Sequence, residues 1–212
     1  MATPKELYCE KRGKLLVKNL ISRHFDAYYC ANKEEALKKA LELIPDGASV
    51  GWGGVMSAVE IGLLDAIRGG NYTVLDRDTA SSPDERFKIE MECMGADVFL
   101  TGANAMSLDG QMVSIDGNGN RVAAIIYGPK KVLVLVGMNK VCDTIESAVQ
   151  RARTVAAPIN MQRFMKDTPC AITGTCGDCK SEGCICNQIL ITRHCRPAGR
   201  IQFLVVGEDL GF

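Results

Sequence analysis

The chain predicts an α/β protein built on a mostly parallel β-sheet. Short apolar runs of strand length alternate with amphipathic segments of helix length, the rhythm of βαβ units. Clusters of Gly, Asn, Asp and Pro punctuate the joints between them. With 212 residues, 47% of them hydrophobic, the chain can bury a core on both faces of such a sheet.

Lys5–His24 carries Leu7, Leu15, Leu16, Leu20 and Ile21 among charges and reads as an amphipathic helix, so residues 1–24 form a helical lead-in. Phe25, Ala27 and Tyr29 alternate as a short strand. Asn32 and Glu35 make a capping pair for a helix over Lys33–Ile44, which stops at Pro45-Asp46-Gly47. Ala48–Trp52 is a buried strand, and Ser57 is the N-cap candidate for a helix over Ala58–Arg68, with Glu60 completing a capping box. Gly69-Gly70 ends that helix. Tyr72–Asp76 follows as a strand, and Pro83 opens a helix to about Met94. Asp97–Thr101 and Lys131–Gly137 are further apolar strands. Met112–Tyr127, with its Asp109-Gly110 and Asp116-Gly117 turns, breaks the rhythm and reads as a hairpin or irregular insert. Asp143 caps a helix to about Ala156, and Arg200–Val206 is the last strand, apolar on both faces. The whole, 1–212, reads as one domain with a cysteine-rich excursion over 168–196.

Twenty-five basic residues cancel 25 acidic ones, and no Lys/Arg-rich stripe occurs, which argues against a nucleic-acid partner. No apolar run reaches membrane-spanning length and no signal-type stretch opens the sequence, so a reducing cytoplasm is the expected setting.

Six of the ten cysteines fall between Cys170 and Cys195. A disulfide framework suits a secreted domain too small to build a core, which this chain is not. Thiols this dense beside Gly174, Gly177 and Gly183 suggest a loop wrapped around a metal. Cys170, Cys176, Cys179 and Cys186 give the spacing Cys-x5-Cys-x2-Cys-x6-Cys. Only one pair has the zinc-knuckle interval, and the wider loop suits an iron–sulfur cluster of 4Fe–4S type, with zinc as the alternative. Cys184 is an alternative ligand, and it or Cys195 also reads as a small, partly buried apolar residue. Cys9, Cys30, Cys93 and Cys142 are scattered singly and belong to the core. His24 and His194 read as solvated or packed residues, and Trp52, the single tryptophan, as core.

In open α/β sheets ligands bind beyond the carboxyl ends of the strands. Three polar, glycine-rich segments arrive there: Val50–Ser57, Leu100–Asn104 and Asp116–Arg121. Neither a dinucleotide fingerprint nor a P-loop lysine is present. The candidate ligand site comprises Gly53, Gly54, Ser57, Asn104, Asp116, Asn120 and Arg121. Backbone N–H groups after Gly53 would hold an anion, Arg121 would grip a carboxylate or phosphate, and Asp116 is the acid/base candidate. The competing possibility is that Asp116 and Asn120 close turns while Arg121 pairs structurally.

The stretches Gly51–Gly62, Ala96–Asn104, Asp116–Ala124, Tyr127–Lys131, Gly137–Lys140 and Gly207–Phe212 together resemble the LUD-domain family of lactate-utilisation proteins, from about residue 10 to the end. The resemblance implies a three-layer α/β/α fold shared with glucosamine-6-phosphate isomerase, ribose-5-phosphate isomerase and CoA transferases. Those relatives bind phosphates or CoA esters at glycine-rich strand ends. It also implies a place in oxidation of lactate or a related organic acid, beside iron–sulfur and flavin partner proteins. The family's cysteine signatures fall on Thr173–Cys179 and Ile185–Asn187, which selects Cys186 over Cys184. The glutamate nucleophile of CoA transferases has no counterpart.

The leading expectation is therefore a cytoplasmic accessory or redox subunit of organic-acid utilisation, carrying a cysteine-ligated iron–sulfur or metal centre. The alternatives are a free-standing enzyme acting on a sugar phosphate or CoA ester, and a zinc-clasped interaction module. Homo-oligomer formation is left open.

Overall fold

A computed structural model of the chain describes residues 2–164 and 166–212; Met1 of the expected lead-in and Met165 lie outside the described residues. Six strands form the main sheet: β1 Asp26–Cys30, β2 Ser49–Trp52, β3 Thr73–Leu75, β4 Val98–Gly102, β7 Lys131–Gly137 and β10 Ile201–Val206. Their order is β1-β10-β7-β4-β2-β3, and every neighbouring pair is parallel. Parallel pairing requires crossovers. Helix α2 Lys33–Leu43 joins β1 to β2. Helices α3 Met56–Glu60 and α4 Leu63–Gly69 join β2 to β3, and α5 Pro83–Cys93 joins β3 to β4.

Side-chain alternation then decides the layers. On β10, Ile201, Phe203 and Val205 enter one core with Cys9, Leu16 and Leu20 of helix α1 Pro4–Ser22, Cys93 of α5, and Ala124 and Ile125 of helix α6 Asn120–Ile126. Leu204 and Val206 enter the opposite core with Ala36 and Ala40 of α2 and Leu63, Leu64 and Ile67 of α4. The result is the expected three-layer α/β/α architecture, with both faces of a parallel sheet covered. The last strand, expected to be buried on both faces, lies between β1 and β7 with all six residues buried.

Helix α1, the expected lead-in, packs into one outer layer. It starts at Thr3, whose hydroxyl accepts from the Glu6 amide while Glu6 accepts from the Thr3 amide. Its buried stripe is Cys9, Gly13, Leu16 and Leu20. Leu7, Leu15 and Ile21, expected on the apolar face, are exposed. The stripe is set by close approach to the sheet: a Cβ on Gly13 would lie 2.5 Å from Cε2 of Tyr29.

A second, smaller sheet fills the part of the chain that broke the βαβ rhythm. Its order is β8-β5-β6-β9, from β5 Ala105–Ser107, β6 Met112–Asp116, β8 Val141–Cys142 and β9 Gln188–Thr192. The β5–β6 hairpin turns through Asp109-Gly110, with Gly110 at φ 93°, so a hairpin is present but lies earlier than expected, and Met112–Tyr127 supplies only its second strand. Asn120–Ile126, however, is helix α6, and β9 arises inside the cysteine-rich excursion to pair antiparallel with β6.

Two helix starts differ from expectation. Val55, not Ser57, precedes α3, because Ser57 turns inward and is buried; Gly62, at φ 77°, then breaks the segment into α3 and α4. Thr144, not Asp143, caps helix α7 Ile145–Arg151 through a reciprocal pair with Ser147. That helix continues through π-type turns at Ala152–Ala156 into α8 Ala157–Met161. Pro158 supplies the reason: it has no N–H for the preceding turn, and wider winding relieves its ring. No helix among the described residues is long and apolar enough to cross a membrane.

Candidate functional site

The carboxyl ends of β2 and β4, the start of α6 and the turn after β7 enclose a cavity of about 450 Å³. All seven residues expected at a ligand site line it: Gly53, Gly54, Ser57, Asn104, Asp116, Asn120 and Arg121. Several of their polar groups already have partners within the fold. The Gly53 amide itself donates to the Leu100 carbonyl at 3.1 Å and extends the sheet; the N–H groups expected to hold an anion are those that follow it. Gly53 is glycine because the Arg121 side chain crosses it: a Cβ there would lie 2.9 Å from Cγ and Cδ of Arg121.

Arg121 is a buried tie rather than an open fork. Its guanidinium donates to the carbonyls of Gly102 and Ile115 and to Oδ1 of Asn104. The same Asn104 oxygen accepts from the Ile115 amide at 2.8 Å, so Asn104 and Arg121 together lock β4 to β6. Asp116 Oδ2 accepts from the amides of Arg121 and Val122, at 3.0 and 3.1 Å, and caps helix α6. One carboxylate oxygen of Asp116 is thereby committed to structure. Glu60, expected in a capping box, instead accepts from the Gly211 amide at 3.0 Å and holds Gly211 against the cavity.

Lys140 is the residue that sequence reasoning missed. It follows β7 at the same sheet edge and lines the cavity, yet it is only 4% exposed. Its Nζ has one hydrogen-bond partner among the described residues, Oγ of Ser57 at 3.3 Å. Arg151 donates to the carbonyls of Asn104 and Asn139 nearby. None of Lys140, Arg121 and Arg151 forms an ion pair among the described residues, although Asp116 partly offsets Arg121. Burial, together with Arg151 and Arg121 and against a smaller opposing pull from Glu60, pushes the Lys140 ammonium down to about 8. Burial lowers both arginines as well. Such a cavity holds more positive charge than its walls neutralise, the condition that favours an anion. Trp52 is buried core, as expected. It also lines the cavity, with an indole N–H that has no acceptor among the described residues. The signal for Lys140 was available: it closes the Gly137–Lys140 stretch, where an apolar strand ends.

The cysteine-rich segment encloses a second cavity of about 300 Å³. Cys170, Cys176, Cys179 and Cys186 line it, and Cys184, set aside by the resemblance, lines it with them. All five are free thiols and half-buried. Cys170 lies on the short helix α9 Pro169–Thr173, and Gly174, at φ 73°, releases the chain from it. Burial first, then the neighbouring thiols of Cys184, Cys176 and Cys170, push Cys186 up to about 12. Hydrogen bonds from the Ser181 backbone and side chain hold the Cys179 thiol below its ordinary value. This soft thiol donor set fits a thiophilic metal or cluster chemically. No group of three or more Cys, His, Asp or Glu side chains among the described residues is already set to hold a metal ion. Cys195 is elsewhere: it is buried in the α1-side core, where its Sγ accepts from the Ile201 amide at 3.2 Å. Cys9, Cys30 and Cys93 are buried and Cys142 is half-buried. His24 and His194 are exposed, with ring centroids 5.9 Å apart.

The two cavities adjoin. Ala157 and Ile185 line both. The Ile185 backbone packs against Gly117, where a Cβ would lie 3.3 Å from the Ile185 Cα, and the Asn187 amide donates to the Gly117 carbonyl at 3.0 Å.

A three-layer α/β/α frame with a cation-rich cavity at its strand ends and a thiol-rich cavity alongside defines the class of this protein. The chain belongs to the LUD-domain family, whose domain it matches over residues 13–206, and so to a family related to lactate utilisation. It is similar in fold to a DUF162 family protein from Deinococcus radiodurans, at 11% identity and a TM-score of 0.53, over 93% of this chain and 97% of that one. A partial likeness reaches ribose 5-phosphate isomerase A of Methanocaldococcus jannaschii. There the identity is 18% and the TM-score 0.34, over 63% of this chain and 66% of that one. No curated protein matches the chain.

Proposed function

We propose that this protein serves utilisation of lactate or a related organic acid as an accessory or redox subunit. The cationic cavity holds a small organic anion, and the cysteine segment holds an iron–sulfur cluster of 4Fe–4S type. The observation that carries this proposal is adjacency: five free thiols surround a cavity that shares Ala157 and Ile185 with the cation-rich one. Cys170, Cys176, Cys179 and Cys186 would be the ligands, with Cys184 as the alternative to one of them. A bound cluster would supply one-electron redox chemistry and call for an iron–sulfur or flavin partner protein. The thiols would turn inward on binding, since they are not yet gathered at ligation distance. Zinc in the same loop would make it a structural clasp.

The cation-rich cavity also supports a second reading, a free-standing enzyme acting on a sugar phosphate or CoA ester, because phosphate suits a surplus of buried positive charge. One preparation separates these readings. The chain is purified anaerobically, analysed for iron, sulfide and zinc, and titrated calorimetrically with lactate, sugar phosphates and CoA esters. Iron with sulfide and a lactate isotherm is the expected result. Zinc alone would replace the redox role by the clasp, and binding only of phosphates would favour the second reading.

A further inference from the structure

Lys140 has an environment that anion binding alone does not require. An exposed lysine could supply the charge, whereas this amine is buried beside a single hydroxyl and feels two guanidinium groups; the Glu60 carboxylate offsets them only in part and is bound to the Gly211 amide rather than paired with Nζ. Glycines keep the space around it open. A Cβ on Gly211 would lie 3.1 Å from Nζ and 3.3 Å from Oγ of Ser57, and one on Gly102 would lie 3.9 Å from Nζ. A lysine desolvated near other cations is the arrangement that yields a neutral, nucleophilic amine close to neutral pH. Its ammonium, pushed down to about 8, is in that range.

We propose that Lys140 is a covalent site for 2-oxo acids, its Nζ condensing with the ligand carbonyl to form an imine. This rests on the organic-anion assignment of the cavity. Oxidation of a 2-hydroxy acid gives a 2-oxo acid, so a carbonyl partner belongs to the same substrate class. The positive field of Arg121 and Arg151 holds the carboxylate. The lone pair of the neutral amine forms the new C–N bond, and the carbonyl oxygen takes up a proton to give the carbinolamine. That proton comes from the nitrogen. The last N–H proton of the carbinolamine then passes to its hydroxyl, the C–O bond breaks with its electron pair on oxygen, the nitrogen lone pair forms the C=N bond, and one water leaves. No electrons enter or depart. Ser57 Oγ, 3.3 Å from Nζ, is placed to relay the proton between nitrogen and departing oxygen.

The test is reductive trapping. The full chain is incubated with pyruvate or glyoxylate and sodium cyanoborohydride, followed by intact mass measurement and peptide mapping. A single reduced adduct on Lys140 is expected. Excess lactate should suppress it, Lys140→Arg should abolish it, and Ser57→Ala should slow it about tenfold, on the order of 1.4 kcal/mol. Mapping the unmodified protein keeps the test decisive even if a variant folds poorly. No adduct, or labelling spread over the exposed lysines, overturns the covalent site. Parallel calorimetry with lactate separates the two ideas: lactate binding without an adduct sinks the imine and leaves the anion cavity standing. Absence of both removes the anion assignment as well.

Discussion

The cation-lined and thiol-lined cavities share two residues but are stabilised in opposite ways. The first is walled by strand ends whose polar groups are already satisfied by one another: Arg121 on three acceptors, Asn104 Oδ1 on two donors, Asp116 across two helix amides. The second is walled mainly by the irregular segment after Cys170, where five thiols crowd together without ligation geometry. A fixed polar framework can hold a charge surplus ready for a ligand, since the cost of burying the charge is met by folding the sheet. A loop of protonated thiols has no such framework, and would gain its order from a metal that replaces their protons. The difference teaches that one site is preorganised by the fold, whereas the other, on the function proposed above, would be completed by what it binds.

The harshest way to test this contrast is to remove the frame. Truncation before Arg200 deletes β10 from between β1 and β7 and takes away six buried residues, each large side chain worth roughly 1.5–3 kcal/mol. The truncated chain should lose solubility and cooperative melting, and both cavities with them. A soluble truncation with a sharp thermal transition would show that β10 is peripheral.

Next comes the tie that binds the cation-lined wall. Arg121→Ala leaves the carbonyls of Gly102 and Ile115 and the Asn104 oxygen short of a donor, and should cost about 3–5 kcal/mol in urea unfolding. An unfolding midpoint equal to that of the unaltered chain would mean the guanidinium is not structural and is available for a ligand after all.

A finer probe is the pH dependence carried by Lys140. Its amine gives up its proton at about 8 in the folded chain, against an ordinary value of 10.5. Between those values the unfolded chain binds more protons, so this group makes stability rise with pH, by at most about 1.4 kcal/mol per unit. Lys140→Met should lack that rise and be the more stable variant below pH 8. Parallel stability curves for the two chains would contradict a buried, charge-crowded amine.

The smallest expected effect lies on the thiol side. In metal-free buffer, Cys176→Ser/Cys179→Ser should melt with the unaltered chain, within about 0.5 kcal/mol, because neither thiol props up the sheet. The same double variant should lose bound iron or zinc on reconstitution. A large loss of stability in the metal-free state would show the loop to be preorganised and erase the contrast.

What was readable in advance follows the range of the interactions. Helix α2, with Asn32 as its cap, and helix α5, opening at Pro83, were legible because their signals lie within a few residues. The strands of the main sheet were legible because burial on both faces makes them near-continuous apolar runs. Strand β9 was not: its residues are half-buried or exposed, and it is a strand only because β6, more than 70 residues away, supplies its partner. Ser57 carried a capping signature, yet its hydroxyl went to a lysine 83 residues further along the chain. The seven candidate site residues were found by their polarity at strand ends. Lys140 was passed over because one charged residue in a turn looks like solvent-facing surface until its burial is known.

The sequence by itself determined the alternation of strands and helices, the crowding of thiols between Cys170 and Cys186, and the arrival of polar glycine-rich segments at strand ends. All three are local patterns of apolarity, spacing and backbone freedom. Only the tertiary structure decided that Arg121 serves carbonyl groups, that Lys140 is buried beside Ser57, and that Cys184 joins the thiol cavity while Cys195 leaves it. These assignments depend on which distant groups meet and on how much water is excluded when they do, and desolvation is a property of the packed chain rather than of any stretch of it.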